Sequence, residues 1–191
     1  MVSRRRVLSG LIGLGAAAAL PAIARASPVM RLVETRFAGL GQTHLWVRQV
    51  AGPAEERHVR FRTADGRLVP EGVEALSWLW RDWRDGDAAV WIDYRLFDVL
   101  AWIQTAATLE DDRPVRLTLS SGFRTARRNA TLRGAARASQ HIVGRAADVT
   151  LDGVGIDRLA HLADRAGAGG VGRYRRFVHV DTGWEGRRWG A

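Results

Sequence analysis

Two short runs in the C-terminal part of the chain alternate apolar and polar residues with a period of two. They are Asp148-Val149-Thr150-Leu151 and Phe177-Val178-His179-Val180-Asp181, and such alternation predicts strands with one buried face. Val149, Leu151, Val178 and Val180 would then face a core, while Asp148 and Thr150, and Phe177, His179 and Asp181, share the opposite side. Ser139-Gln140-His141-Ile142-Val143-Gly144-Arg145-Ala146-Ala147 leads into the first of these strands and reads as a loop. Gly144 frees a turn that folds His141 back toward Asp148.

The same patterning organises the rest of the chain. Residues 45–50 and 57–62 alternate and are separated by Gly52-Pro53, which predicts a pair of strands. From Pro70 to Arg84, Val73, Leu76, Trp80 and Trp83 follow helical spacing, with proline suited to the first turn. Asp93 is placed to cap a second helix whose face carries Leu96, Val99, Leu100, Ile103 and Ala107. Residues 115–120 read as a strand, Thr125 as the cap of a short helix stopped by Gly134, and residues 156–166 as a helix in which His161 packs among apolar neighbours. Trp78, Trp80, Trp83, Trp91 and Trp102 gather in the helical region; stacking on sugars is open to them, but core packing is the expected use of most. These elements make a small single α+β domain, with helices packed on an antiparallel sheet.

Composition changes this picture mainly at the N-terminus. Arg4-Arg5-Arg6-Val7-Leu8, an apolar run from Leu11 to Leu20, and Ala24-Arg25-Ala26 have the form of a cleavable twin-arginine export signal. The run is about half the ~20 residues that a spanning helix needs, so no stable membrane insertion is expected after cleavage. The expected organisation is therefore a signal peptide at 1–26, read by the twin-arginine export machinery, and one domain at 27–191 in the periplasm or another extracytoplasmic space. All 29 basic residues are arginine, and removing the four in the export segment from the formal charge of +9 leaves +5. That mild surplus suits an anionic partner such as cell-wall polymer. The arginines are dispersed among acids without a recognised binding motif, which argues against nucleic acid. No cysteine occurs, so there is no disulfide framework and no thiol ligand.

His141, Asp148 and His179 form a candidate zinc set: two imidazoles and a carboxylate leave the fourth tetrahedral position open, the catalytic pattern of ligation. At these residues the chain resembles the zinc D-alanyl-D-alanine peptidases, whose signature S-x-H-x-x-G-x-A-x-D is filled by Ser139, His141, Gly144, Ala146 and Asp148. It is similar in particular to their YcbK-like, MepK-type branch of murein endopeptidases. The branch's features recur at Arg81-Asp82-Trp83-Arg84, Ser121-Gly122-Phe123-Arg124-Thr125, Asn129, residues 169–174, residues 177–183 and Arg188-Trp189.

The resemblance implies a hedgehog/D,D-peptidase-like fold with one zinc ion, and hydrolysis of peptide bonds in peptidoglycan by metal-activated water. It also implies that Arg124 contacts the substrate or the developing oxyanion. Wider relatives place a carboxylate three positions before the second histidine, where this chain has Arg176. Asp181 is the candidate base in its place, with orientation of His179 as its alternative role. Ser139 is a candidate substrate contact or loop cap, and Tyr174 a candidate at the cleft rim. A non-catalytic zinc-containing wall-binding module is the rival function.

Overall fold

A computed structural model describes residues 42–183 and 186–190; the export segment expected at 1–26 lies outside them. β1 (His44–Gln49) buries Leu45 and Val47 on one face and pairs antiparallel with β2 (Glu55–Arg60), Leu45 opposite Val59. The expected hairpin is therefore present, shifted by one or two residues.

α1 (Pro70–Leu79) starts with proline in its first turn and buries Val73, Leu76 and Leu79. It stops short of the expected Arg84 because tertiary bonds take over the backbone. The Trp80 carbonyl accepts the Phe123 N–H at 2.6 Å, Asp82 N–H donates to the Ala88 carbonyl at 2.8 Å, and the Asp82 carboxylate accepts the Thr125 N–H at 3.0 Å. Trp83 consequently sits in a half-buried turn rather than on a helix face.

α2 (Tyr94–Glu110) is capped by Asp93, whose side chain accepts the Arg95 N–H at 3.1 Å. Leu96, Leu100, Ile103 and Ala107 are fully buried along it. Phe97 meets Trp80 edge to face at 5.2 Å. Truncating a core leucine of this kind to alanine costs about 2–5 kcal/mol, because the transfer term and the cavity add.

β3 (Leu117–Ser121) follows, then α3 (Ala126–Thr131), capped by the Thr125 hydroxyl accepting the Arg128 N–H at 3.1 Å. β4 (Ala146–Leu151), α4 (Ile156–Arg165), β5 (Gly170–Arg173), β6 (Val178–Asp181) and β7 (Arg187–Trp189) complete the described elements. The seven strands lie in the order β2-β1-β3-β4-β6-β5-β7. The sheet is mixed rather than antiparallel throughout: β1 with β3 and β5 with β7 run parallel, since each pair is joined through intervening elements and not by a hairpin.

α2 and α4 pack together and against the sheet, so Leu100, Ile103, Leu117, Val149, Leu159, Val178 and Val180 share one core. The opposite face of β4 and β6 carries Asp148, His179 and Asp181. One expectation about packing fails. His161 is exposed, on the outer face of α4. Of the five tryptophans of the helical region, Trp80 is fully buried and Trp83 and Trp102 are partly buried; Trp78 and Trp91 are 48% and 66% exposed and border a groove of about 820 Å³ with Arg57, Glu74 and Val90. That groove contains none of His141, Asp148 or His179. No helix of the described residues is long and apolar enough to cross a membrane.

Candidate metal centre

Strand register sets the first two members of the site side by side. Asp148 of β4 and His179 of β6 are directly opposite in the antiparallel pairing, which brings their side chains together on one face. On the other flank of β4 the pairing with β3 shifts between Leu119 and Ser121. That irregularity carries residues 121–124 over the site, a common use of a bulge.

His141 arrives from the loop before β4. Gly144 adopts φ +67°, a conformation that side chains disfavour, and its N–H faces the His141 carbonyl at 3.4 Å. Asp93 N–H donates to the Gly144 carbonyl at 2.9 Å, which ties the turn to the start of α2. The turn thus leaves His141 only 1% exposed and pointed at Asp148.

The hydrogen-bond partners assign the ring tautomers. His141 Nδ1 lies 2.6 Å from the Gly122 carbonyl, which can only accept, so Nδ1 carries the proton. His179 Nε2 lies 3.1 Å from Asp181 Oδ2, so Nε2 is the donor there. The remaining ring nitrogens both turn to Asp148 Oδ1, His141 Nε2 at 3.2 Å and His179 Nδ1 at 2.8 Å, and stand 3.1 Å from each other. With both rings neutral, three acceptor lone pairs thus converge without a donor, an arrangement that a shared cation satisfies. Ligand atoms about 2.0–2.1 Å from a tetrahedral zinc lie roughly 3.3 Å apart, so this set fits such an ion after a slight expansion. His141, Asp148 and His179 could hold a metal ion.

Electrostatics separate the three. Burial holds His141 below its ordinary imidazole value. Burial also pushes His179 down, but hydrogen bonds to Asp148 and Asp181 outweigh it and the ring titrates above its ordinary value. For Asp148 burial pushes the carboxyl up, yet the two histidines hold it far below the usual carboxylate range.

Of the other residues singled out in the sequence, Arg124 lies at the site. Its Nη2 is 3.7 Å from Asp148 Oδ2, its backbone N–H donates to the His141 carbonyl at 3.2 Å, and its buried Nε has no hydrogen-bond partner. Burial lowers the guanidinium below its ordinary range, opposed by the Asp148 charge. The Ser139 hydroxyl accepts the His141 N–H at 3.3 Å, the geometry of a loop cap. Tyr174 is 44% exposed and stacks on Phe177; its hydroxyl accepts the Trp189 Nε1–H at 3.0 Å.

Asp181 does not face the ligand cluster, as a base would. It lies behind His179, on the nitrogen turned away from Asp148, and is fully buried. Its Oδ1 accepts the Gly183 N–H at 2.8 Å, and Arg187 Nη2 stands 2.7 Å from both of its oxygens. Burial raises this carboxyl, but the His179 and Gly183 bonds and the Arg187 charge hold it below the usual range. The strand argument placed Asp181 on the correct face; ring orientation puts it on the far side of the histidine. Sequence reasoning missed the Gly122 carbonyl and Arg187. Main-chain acceptors leave no residue-type signal, and Arg187 is one arginine among 29.

Comparison with known proteins gives the chain a family. The family profile described as peptidoglycan L,D-endopeptidase MepK matches residues 44–189. The chain is 37% identical over 126 residues to peptidoglycan L,D-endopeptidase MepK of Escherichia coli K12, a match covering 62% of this chain and 66% of that protein. It therefore spans slightly under two thirds of that relative's length. A probable peptidoglycan L,D-endopeptidase MepK of Haemophilus influenzae is 35% identical over 136 residues, covering 66% of this chain and 70% of the relative. The matched region contains every residue of the site, and the chain belongs to the peptidoglycan L,D-endopeptidase MepK family.

Proposed function

We propose that this protein is a zinc-dependent peptidoglycan hydrolase that cleaves amide bonds in the peptide cross-links or stems. The observation that carries the reading is the convergence of three acceptor atoms, His141 Nε2, Asp148 Oδ1 and His179 Nδ1, on one point in a MepK-family chain. The relatives' printed name directs the reading toward L,D bonds. An ion held there supplies Lewis acidity and an activated water at neutral pH.

The protein's own groups prepare that chemistry. The Gly122 carbonyl and the Asp181 carboxylate fix the two imidazole tautomers, so in the neutral rings both remaining lone pairs face Asp148. Arg124 keeps a permanently charged guanidinium beside Asp148, suited to a substrate carboxylate or to the oxyanion that forms as the amide is attacked. Ser139 shapes the His141 loop, and Tyr174 is proposed at the rim through its bond to Trp189. Asp181, with both oxygens committed, is proposed to orient His179 rather than to take a proton from water.

One observation favours a second reading, a zinc-containing wall-binding module without catalysis: position 176 is an exposed arginine, and Asp181 is fully engaged elsewhere. Incubating zinc-loaded protein with cross-linked peptidoglycan and analysing released muropeptides by mass spectrometry decides between them. Release by wild type and none by His141→Ala is expected of the hydrolase. Sedimentation with peptidoglycan without release would establish the binding module.

Residues 1–26 are proposed as a twin-arginine signal that delivers residues 27–191 to the periplasm. Replacing Arg4 and Arg5 with lysine should leave uncut precursor in the cytoplasm, and normal maturation of that variant would contradict the route.

A further inference from the structure

The last three strands of the sheet are in register around two glycines. Gly170 of β5 lies between Asp181 of β6 and Arg187 of β7, and Gly172 lies between His179 and Trp189. Residues two apart on a strand share a face, so on the metal-site face β5 carries no side chain at either position. Neighbouring strands are about 4.8 Å apart, which puts β6 and β7 side chains roughly 10 Å apart at their α-carbons. Only long groups can meet over that gap, and only if the middle strand is bare.

Both meetings occur. Arg187 reaches across Gly170 and sets Nη2 2.7 Å from each oxygen of Asp181. Trp189 lies across Gly172 with its ring 5.2 Å from that of His179, and is held there by its Nε1–H bond to Tyr174. A β-carbon on Gly170 would stand 2.2 Å from Asp181 Oδ2, and one on Gly172 would stand 2.4 Å from the Trp189 ring. Neither side chain could keep its place beside an alanine.

We infer that Arg187, working across the bare positions of β5, is a positioning residue for the metal ligand His179. The inference rests on the metal reading of His141, Asp148 and His179. Asp181 is fully buried, and a buried carboxylate needs a fixed counter-charge to remain an acceptor. Arg187 supplies that charge. Asp181 then keeps the proton on His179 Nε2 and the lone pair on Nδ1, facing Asp148. Trp189 limits rotation of the ring about the same axis. The constraint runs from the sheet edge inward, from Arg187 and Trp189 to His179.

The test compares Arg187→Met, Arg187→Lys and Gly170→Ala with wild type by three readouts: zinc affinity by chelator competition, the ¹⁵N shifts of the His179 ring in zinc-free protein at alkaline pH, and melting temperature. Arg187→Met should bind zinc about 10- to 100-fold more weakly, the range for lost outer partners of a ligand, and its His179 signal should leave the Nε2–H form. Arg187→Lys keeps the charge and should keep most of the affinity. Gly170→Ala retains every polar side chain but displaces the carboxylate, and should reproduce the loss. Should Arg187→Met not fold, Gly170→Ala carries the test by the same readouts. Wild-type affinity with an unchanged ring signature in Arg187→Met or Gly170→Ala would overturn the inference. So would equal losses in Arg187→Met and Arg187→Lys with an unchanged ring signature, which would reduce Arg187 to strand packing. If wild type bound no zinc, the metal reading itself would fall, and the metal-free ring signature would tell the two failures apart.

Discussion

His141 is held by a loop and oriented by a backbone carbonyl, whereas His179 is held by a strand and oriented by a carboxylate. The two rings face the same oxygen of Asp148 at 3.2 and 2.8 Å, but their protonation differs. Deep burial keeps His141 below its ordinary value despite its bond to Asp148; for His179, bonds to both Asp148 and Asp181 outweigh burial and raise it. A charged acceptor makes a ligand more basic and also makes it compete with a proton. The loop half of the site thus holds a proton less readily than the strand half, which therefore carries more of the pH dependence. The halves also differ in what mutation can reach, since the Gly122 carbonyl belongs to the main chain and Asp181 does not.

The largest effect should come from removing a ligand that both halves share. In Asp148→Asn the anionic centre of the cluster is gone, so stoichiometric zinc should be lost and muropeptide release should fall to the level of chelated wild type. Retention of one zinc per chain, measured by elemental analysis after reloading, would break the assignment of both histidines at once.

Arg124 comes next, on the loop side, because its backbone holds His141 while its side chain reaches Asp148. Arg124→Met should keep zinc and lower the hydrolysis rate by about 10²–10³-fold, the usual cost of one oxyanion donor. A rise in KM at unchanged kcat would instead assign Arg124 to ground-state binding of the substrate carboxylate.

On the strand side, Asp181→Asn should weaken zinc by about 10- to 100-fold, with much of the activity restored at saturating zinc. A rate deficit of similar size that zinc cannot rescue would return Asp181 to the role of base.

The smallest effect is on pH and separates the rings directly. Because His179 titrates above 6.5 in the metal-free protein, its proton contributes stability that is complete below the unfolded value and lost as pH rises through the folded one. Zinc must displace that proton, so affinity should rise by about tenfold per pH unit below the His179 value and flatten above it. His141, shifted the other way, adds no further slope near neutrality. Isothermal titration across pH measures the break, and in Asp181→Asn the break should move to lower pH.

The part of this comparison legible in the sequence was the loop half and the ligand strand. Gly144 between His141 and Asp148, and the alternation at 148–151 and 177–181, fixed which side chains share a face, because strand parity follows from residue type alone. Ring orientation does not, and this is why strand parity left Asp181 open between candidate base and orienting partner of His179. Helix α1 was overextended because Trp80 and Trp83 kept apolar spacing while Phe123, Ala88 and Thr125, distant in sequence, claimed the backbone and carboxylate at 80–82. Core packing was expected of most of the tryptophans at 78–102, with no indication of which; Trp80, Trp83 and Trp102 follow it, while Trp78 and Trp91 border an open groove. The mixed strand order was invisible for a related reason: parallel pairing of β5 with the short β7 depends on register set across the sheet and not on any local period.

The site assignment is tested most directly by X-ray diffraction from zinc-soaked crystals at the zinc absorption edge. The expected result is one anomalous peak bonded to His141 Nε2, Asp148 Oδ1 and His179 Nδ1, with His179 Nε2 still on Asp181. A peak elsewhere, or one bonded through His179 Nε2, would contradict it.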